Sequence, residues 1–245
     1  MLQHFKTSTI LLLTAGLILL GSLVAYNMAL KTEYNKGTYK DPYRNFVTLN
    51  YRNFDQIAIN PASELNVKIK AGDYKVQVHK YTKEYLSFTQ NGKLLQVDLA
   101  YPKEPQMQPY GDLIVITCPN LANLKTNAFF MQNGKKVIST KSWNNSTVTV
   151  EGFEQPSLNL QQDKGTTVKL SGNKLNRLEA VVGLSTGSTA YLNLDKTNQI
   201  QEANLDIRNK SELIVENLNI PKRQYHFSDS ARATFSGSAL GILAQ

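Results

Sequence analysis

Five consecutive residues, Gly183-Leu184-Ser185-Thr186-Gly187, spell G-x-S-x-G, the spacing that carries an acyl-transfer nucleophile in serine hydrolases. In such enzymes a strained strand-to-helix turn exposes the serine oxygen, and a histidine and an acid elsewhere in the chain activate it. His226 and Asp229 follow in a workable order, but in another turn of the chain. The residues after the motif, AYLNL, read as a strand and not a helix, so Ser185 is expected at a corner between strands. A second set of chemically able residues is Asp195, Glu202, Asp206, Glu212 and Glu216. Two carboxylates cleave a glycosidic bond only when they converge on it. These five alternate with Lys and Asn at solvent positions, as the residues of a solvated sheet face do. Cys118 follows the apolar run LIVIT with no Lys or His beside it, and reads as a small buried hydrophobe. His79 and His226 lie within strand-like runs and read as sheet histidines. Trp143, beside Asn144-Asn145 at a turn, is either a binding platform or a core tryptophan.

Composition narrows the chemistry further. One cysteine and three histidines (His4, His79, His226) leave no thiolate cluster or multi-histidine metal site, and neither metal nor cofactor is expected. The 245 residues carry a net charge of +8, yet no Lys/Arg run exceeds two residues and no stacking motif accompanies one. That excludes a nucleic-acid footprint.

The elements that must position these residues begin with a membrane-type segment. Residues 7–30 contain no charge, and 10–26 (ILLLTAGLILLGSLVAY) are nearly all apolar. About 20 such residues span the hydrocarbon core of a bilayer. The run is longer than the usual apolar core of a signal peptide, no small-x-small cleavage site fits well, and no cysteine follows that could take a lipid. An uncleaved anchor over 1–30 is the reading, with a cleaved signal as its alternative. Residues 31–45 (KTEYNKGTYKDPYRN) read as a polar juxtamembrane linker. Lys31, Lys36, Lys40 and Arg44 favour keeping the C-terminal side in the cytoplasm, whereas a short N-terminal tail favours exporting it. We read the large domain as lying outside the cytoplasm.

From Phe46 onward the pattern is all-β. Runs such as Val76/Val78, Leu95/Val97/Leu99 and Leu113/Val115/Thr117 alternate at period two, and Asn91-Gly92 marks a tight hairpin. The stretch 173–180 (NKLNRLEA) comes nearest to a helical period. In the C-terminal half, polar triplets precede short β runs at a nearly constant step. Asn145-Ser146-Thr147, Gly165-Thr166-Thr167, Gly187-Ser188-Thr189, Lys210-Ser211-Glu212 and Ser230-Ala231-Arg232 lead into VTV, VKL, AYLNL, LIV and ATF. A second set interleaves, comprising Leu158-Asn159-Leu160, 178–181, 203–207 and 225–227. A repeat of this length predicts a parallel β-solenoid, a β-helix-like stack whose coils complete one another's core, over 46–243. An antiparallel sandwich is the alternative.

Phe54-Asp55-Gln56-Ile57, ITCPNLANLKTN (116–127) and the units LSTGSTAYLNL, IRNKSELIVENL and FSDSARATFSGSAL together resemble the auto-transporter adhesin head, or GIN, domain family. The resemblance covers roughly residues 46–240. It departs from the family pattern at Asn209-Lys210-Ser211 and in a longer middle section, 129–143. It implies a secreted or membrane-anchored β-solenoid of Bacteroidetes-type bacteria, with no catalytic residues. In that setting Asp229-Ser230-Ala231 fits a short glycosylation pattern.

The sequence therefore predicts a non-enzymatic, adhesin-like binding or scaffold module, held at the cell inner membrane by a single helix with its large domain in the periplasm. Its partners would be the membrane and a cell-envelope glycan or protein, and Trp143, Tyr191 and Arg208 are the candidate ligand-binding surface. The competing expectations are a solenoid polysaccharide lyase or hydrolase, and a cytoplasm-facing interaction domain.

Overall fold

Period-two alternation puts every second side chain on one face of a strand, so residues 46–245 can bury their Leu, Ile and Val only by facing two sheets together. The computed structural model describes residues 6–37, 40–101, 111–139 and 146–244. It divides into two units, 1–45 and 46–245.

The first unit is one helix, α1 (Thr7–Lys36), about 45 Å long at 1.5 Å per residue. None of its side chains is buried, and it is long and apolar enough to cross a membrane. Its polar side chains bond back to its own carbonyls. Thr14 Oγ1 donates to Ile10 O at 2.8 Å, and Asn27 Nδ2 donates to Leu23 O at 2.9 Å. Such self-satisfaction suits a medium that offers no water. The helix runs six residues past the predicted end at 30. Lys31, Glu33 and Lys36 are good helix formers, and Lys36 pairs with Glu33 one turn back. Gly37, at φ 66°, then closes it in the left-handed conformation.

The second unit is two large mixed sheets. The nine-stranded sheet holds β1 (Phe46–Leu49), β3 (Val67–Ala71), β4 (Lys75–His79), β7 (Ile114–Cys118), β11 (Val148–Glu151), β13 (Thr167–Ser171), β15 (Tyr191–Leu194), β17 (Glu212–Glu216) and β19 (Arg232–Ser236), in the order β1-β4-β7-β3-β11-β13-β15-β17-β19. The ten-stranded sheet holds β2 (Gln56–Ile59), β6 (Leu94–Tyr101), β8 (Asn123–Thr126), β9 (Phe129–Gln132), β10 (Lys135–Ile138), β12 (Glu154–Gln162), β14 (Lys174–Val182), β16 (Gln199–Ile207) and β18 (Lys222–Phe227), with β5 (Leu86–Asn91) paired to β6. Its order is β10-β9-β6-β2-β8-β12-β14-β16-β18.

The repeat runs VTV, VKL, YLNL, LIV and ATF are neighbouring parallel strands of the first sheet, and the interleaved set are neighbours in the second. In register, Val148, Val168, Leu192, Leu213 and Ala233 follow one another 20, 24, 21 and 20 residues apart. The inward rows stack like on like: Leu124, Leu160, Ala180 and Leu205 are all at or below 3% exposure. Burying each such side chain stabilises the stack by about 1.5–3 kcal/mol for the larger residues.

The triplets have a physical role. The middle residues of the first four, Ser146, Thr166, Ser188 and Ser211, are fully buried, whereas the fifth has the half-buried Ala231 there. Thr166 Oγ1 donates to Asp163 O at 3.1 Å, Ser188 Oγ donates to Lys164 O at 3.2 Å, and Ser211 Oγ accepts from Ala190 N at 3.1 Å. A small hydroxyl at that position turns the chain inward and satisfies backbone groups that no ladder reaches. At the opposite corner the buried amides of Asn173 and Asn198 stack one above the other.

Several expectations are corrected. A uniformly parallel arrangement fails at the N-terminal end, where β1/β4, β4/β7, β5/β6 and β9/β10 pair antiparallel. The stretch nearest to a helical period, 173–180, lies in β14 from Lys174 onward, in keeping with the all-β reading. β12, β14 and β16 each carry two successive outward residues, Pro156-Ser157, Asn176-Arg177 and Gln201-Glu202, where the strand bends. That break in the alternation creates the Leu175-x-x-Leu178 spacing that mimics a helix. In β7 the facing is off by one. Ile114 and Ile116 align with Val67 and Ile69 on the core side, leaving Val115 on the opposite face, where it is nonetheless buried. Nearly every residue of LIVIT is apolar, so alternation could not choose a face. The β5–β6 loop is Gly92-Lys93, one residue later than predicted, with Gly92 at φ 59°.

Glu64, only 7% exposed, is the one buried glutamate among the described core residues. Burial pushes its carboxyl above the ordinary 4.5, against hydrogen bonds from Ser63 and Ser139. A carboxyl raised in the fold contributes most below its unfolded value and loses that contribution as pH rises through its folded value. Glu64→Gln is therefore expected to gain stability over the parent as pH rises from about 4.5 towards 7. Thermal midpoints of both proteins across that window check it, and parallel curves would refute it.

Candidate functional site

The outer face of the ten-stranded sheet is where the alternation leaves polar side chains in rows. Parallel pairing in register puts Gln56 opposite Asn123, Asn123 opposite Asn159, Asn159 opposite Glu179, and Glu179 opposite Asn204. Two residues along each strand a second row runs Ala58, Lys125, Gln161, Val181, Asp206 and His226. Adjacent strands lie about 4.8 Å apart, so each row is periodic.

Two adjoining hollows follow these rows. One, of about 640 Å³, runs from Leu94 and Gln96 across Gln56 to Asn159, with the half-buried Phe129 ring at its margin. The next, of about 580 Å³, shares Asn123, Asn159 and Gln161 and continues to Asn204, Asp206 and His226. Within the first, Asp98 is held by Gln96 Nε2 at 2.6 Å and Asn60 Nδ2 at 2.5 Å. By contrast, the side-chain amides of Gln56, Asn123, Asn159, Gln161 and Asn204 make no hydrogen bond to any described residue.

At the far end, Asp206 accepts from Arg208 Nε at 2.8 Å and from its Nη2, both at Oδ2. Asp206 Oδ1 is buried with no donor among the described residues, as is Ser228 Oγ beside it in a third hollow.

Of the three predicted surface residues, Trp143 lies outside the described residues. Tyr191 opens β15 in the nine-stranded sheet and is 40% exposed. Arg208 follows β16 in the ten-stranded sheet. No hydrogen bond or ring contact joins those two, and only Arg208 borders the hollows.

The other motifs have structural roles. Ser185 lies between β14 and β15, with its Oγ donating to Asp163 Oδ2 and its N donating to Asp163 Oδ1 at 2.9 Å. Burial opposes ionisation of Asp163, but the bonds from Ser185 and Lys164 outweigh it and hold the carboxyl below its ordinary range. The serine caps a turn instead of facing a histidine. Of the five carboxylates, Glu202 and Asp206 lie on β16, and Glu212 and Glu216 on β17 in the other sheet. Asp195 is folded into the turn after β15 on Thr197 N at 2.9 Å and Lys169 Nζ at 3.5 Å. Cys118 is fully buried, and burial pushes its thiol up to about 12. His79 packs edge-on against Phe46 with ring centroids 5.3 Å apart.

Sequence reasoning missed the amide rows. Their signal is the recurring Asn-Leu pair in ANLK, LNL and ANLD, where the leucine faces in and the asparagine must therefore face out.

No family model matches the chain, and no curated protein does. Among solved structures, similarity extends to a provisionally named adhesin from Bacteroides fragilis, 11% identical, covering 80% of this chain and 99% of that one at a TM-score of 0.38. A provisionally named adhesin from Parabacteroides distasonis is 8% identical, with 77% and 95% covered and a TM-score of 0.34. A protein from the same species, provisionally named lipid-binding, is 12% identical, with 79% and 94% covered and a TM-score of 0.28. Scores this low fix neither fold nor ligand for this chain.

Proposed function

We propose that this chain is a non-catalytic binding module, a β-solenoid of the adhesin-like GIN type held at a membrane by α1 with its large domain outside the cytoplasm. The observation that carries the binding reading is the pair of joined hollows on the outer face of the ten-stranded sheet, lined by amides with no partner among the described residues. These amides are hydrated in the free chain, and an extended partner crossing the strands would meet each of them in turn. The solenoid reading draws on the steps of 20–24 residues between stacked strands. The anchor reading draws on the bare apolar surface of α1 and its self-satisfied polar groups.

Two measurements test it. The full chain is expected to resist carbonate extraction from membranes, while Ile18→Arg with Leu19→Arg releases it, since each mid-span charge costs about 2.5–3.5 kcal/mol. A mature chain lacking α1 would replace the anchor by a cleaved signal. The full chain in detergent micelles is also expected to cosediment with cell-envelope polymer, and Asn159→Arg to abolish this by filling the shared part of the hollows. Cosedimentation indifferent to Asn159→Arg would remove this face from the function.

A further inference from the structure

We propose that the polymer bound on this face is a neutral, hydroxyl-rich glycan lying across the strands, an inference that rests on the binding reading above and names its ligand. The free groups on Gln56, Asn123, Asn159, Gln161 and Asn204 are all amides, and an amide offers two donors and an acceptor on one planar group. A sugar hydroxyl is likewise donor and acceptor at once, so a row of amides satisfies it in either sense. The rows repeat with the strand spacing, which favours a ligand that itself repeats.

Charge excludes the commonest alternatives. Among the described residues, the cations at the first hollow are Lys125 in its lining and Lys136 beside Phe129 at its margin, far short of the basic track a polyanion needs. An acyl chain laid along the two hollows would cover the amides of Asn123, Asn159 and Gln161 without pairing them. A peptide added as a strand needs an open sheet edge, but both neighbours of β8, β12, β14 and β16 are already paired.

The two ends differ. At one, the half-buried Phe129 ring borders the hollow with Lys136 Nζ 3.8 Å from its centroid. At the other, Asp206 Oδ1 and Ser228 Oγ are buried without partners among the described residues, beside the exposed His226.

The test uses the full chain in detergent micelles against immobilised neutral oligosaccharides of the cello, manno and xylo series, with heparin and phosphatidylglycerol vesicles in parallel. Saturable binding of a neutral series is expected, weakened about tenfold or more by Asn159→Ala with Gln161→Ala, each amide contributing one or two hydrogen bonds. Thr149→Ala, on the other sheet, should leave it unchanged, and thermal midpoints of all variants should agree within a few degrees. Envelope polymer retained by the chain should also lose binding after periodate cleavage of its vicinal diols and keep it after proteolysis. Binding to heparin or vesicles alone, or envelope binding that survives periodate but not protease, overturns the glycan while leaving the binding face standing. Envelope binding unaffected by Asn159→Arg would instead sink the face itself.

Discussion

Replacing Gly183 by alanine is expected to destabilise the β unit by about 4 kcal/mol, read as a fall in the urea midpoint at unchanged slope. Gly183 closes β14 at φ 88°, a conformation that costs a residue with a Cβ about 1–3 kcal/mol. Here the cost does not stop at the backbone. An added Cβ would fall onto Ser211 Oγ and the Arg208 carbonyl oxygen, well inside van der Waals contact. Neither can retreat cheaply. Ser211 is fully buried and accepts from Ala190 N, and the peptide nitrogen of Arg208 is tied to Val182 O at 2.8 Å. Moving them separates two coils of the stack. The control is Gly152→Ala, at φ 78° with nothing within 4 Å of the added carbon, which should cost only about 1 kcal/mol. Equal losses at the two glycines would show that close packing of coils at this corner is not what requires Gly183.

Asn198→Ala should cost about 3–5 kcal/mol, because it strips a buried corner of partners on both sides at once. The Asn198 Oδ1 accepts from Asn173 N at 3.1 Å and Asn173 Nδ2 at 3.0 Å, while its own Nδ2 donates to Leu170 O at 2.7 Å and Asp195 O at 2.9 Å. Asn173 is fully buried and Asn198 is 3% exposed, so water cannot replace what is lost. Asn173 passes the network on, donating to Val150 O at 3.0 Å and accepting from Phe153 N at 3.1 Å. The loss should therefore extend into the neighbouring coil. Hydrogen exchange is the sharper readout: the amides of Asn173 and Phe153 should lose protection together. Asn176→Ala, at the exposed bend of β14, should stay within about 0.5 kcal/mol. A small loss at Asn198 would mean that the corner tolerates unpaired amides.

The same residues show what could be read in advance. The polar triplets were legible because a small hydroxyl suits the inward turn, and Ser146, Thr166, Ser188 and Ser211 supply it at four of the five steps. The inner rows were legible because Leu, Val and Ile have one face to go to. Where nearly every residue is apolar, as in LIVIT, the alternation carried no information and the facing of β7 came out reversed. Where a strand bends, as at Asn176-Arg177, the period itself changed and imitated a helix.

The candidate site was harder. Tyr191 and Arg208 have the chemistry of a binding surface, but the fold puts Tyr191 on the nine-stranded sheet and Arg208 at the end of β16 in the other. The amides of Asn123, Asn159 and Asn204 lie 36 and 45 residues apart in the chain and attracted no notice singly. Local sequence determines which side chains face outward, since that follows from the two-residue period and the burial of each leucine between them. Only the tertiary structure decides which outward residues meet, because strand order and register depend on contacts between coils that are distant in sequence. The apolar helix, the strands and the turn hydroxyls were written in the chain; the hollow they leave on one sheet exists only once β2, β8, β12, β14 and β16 lie side by side.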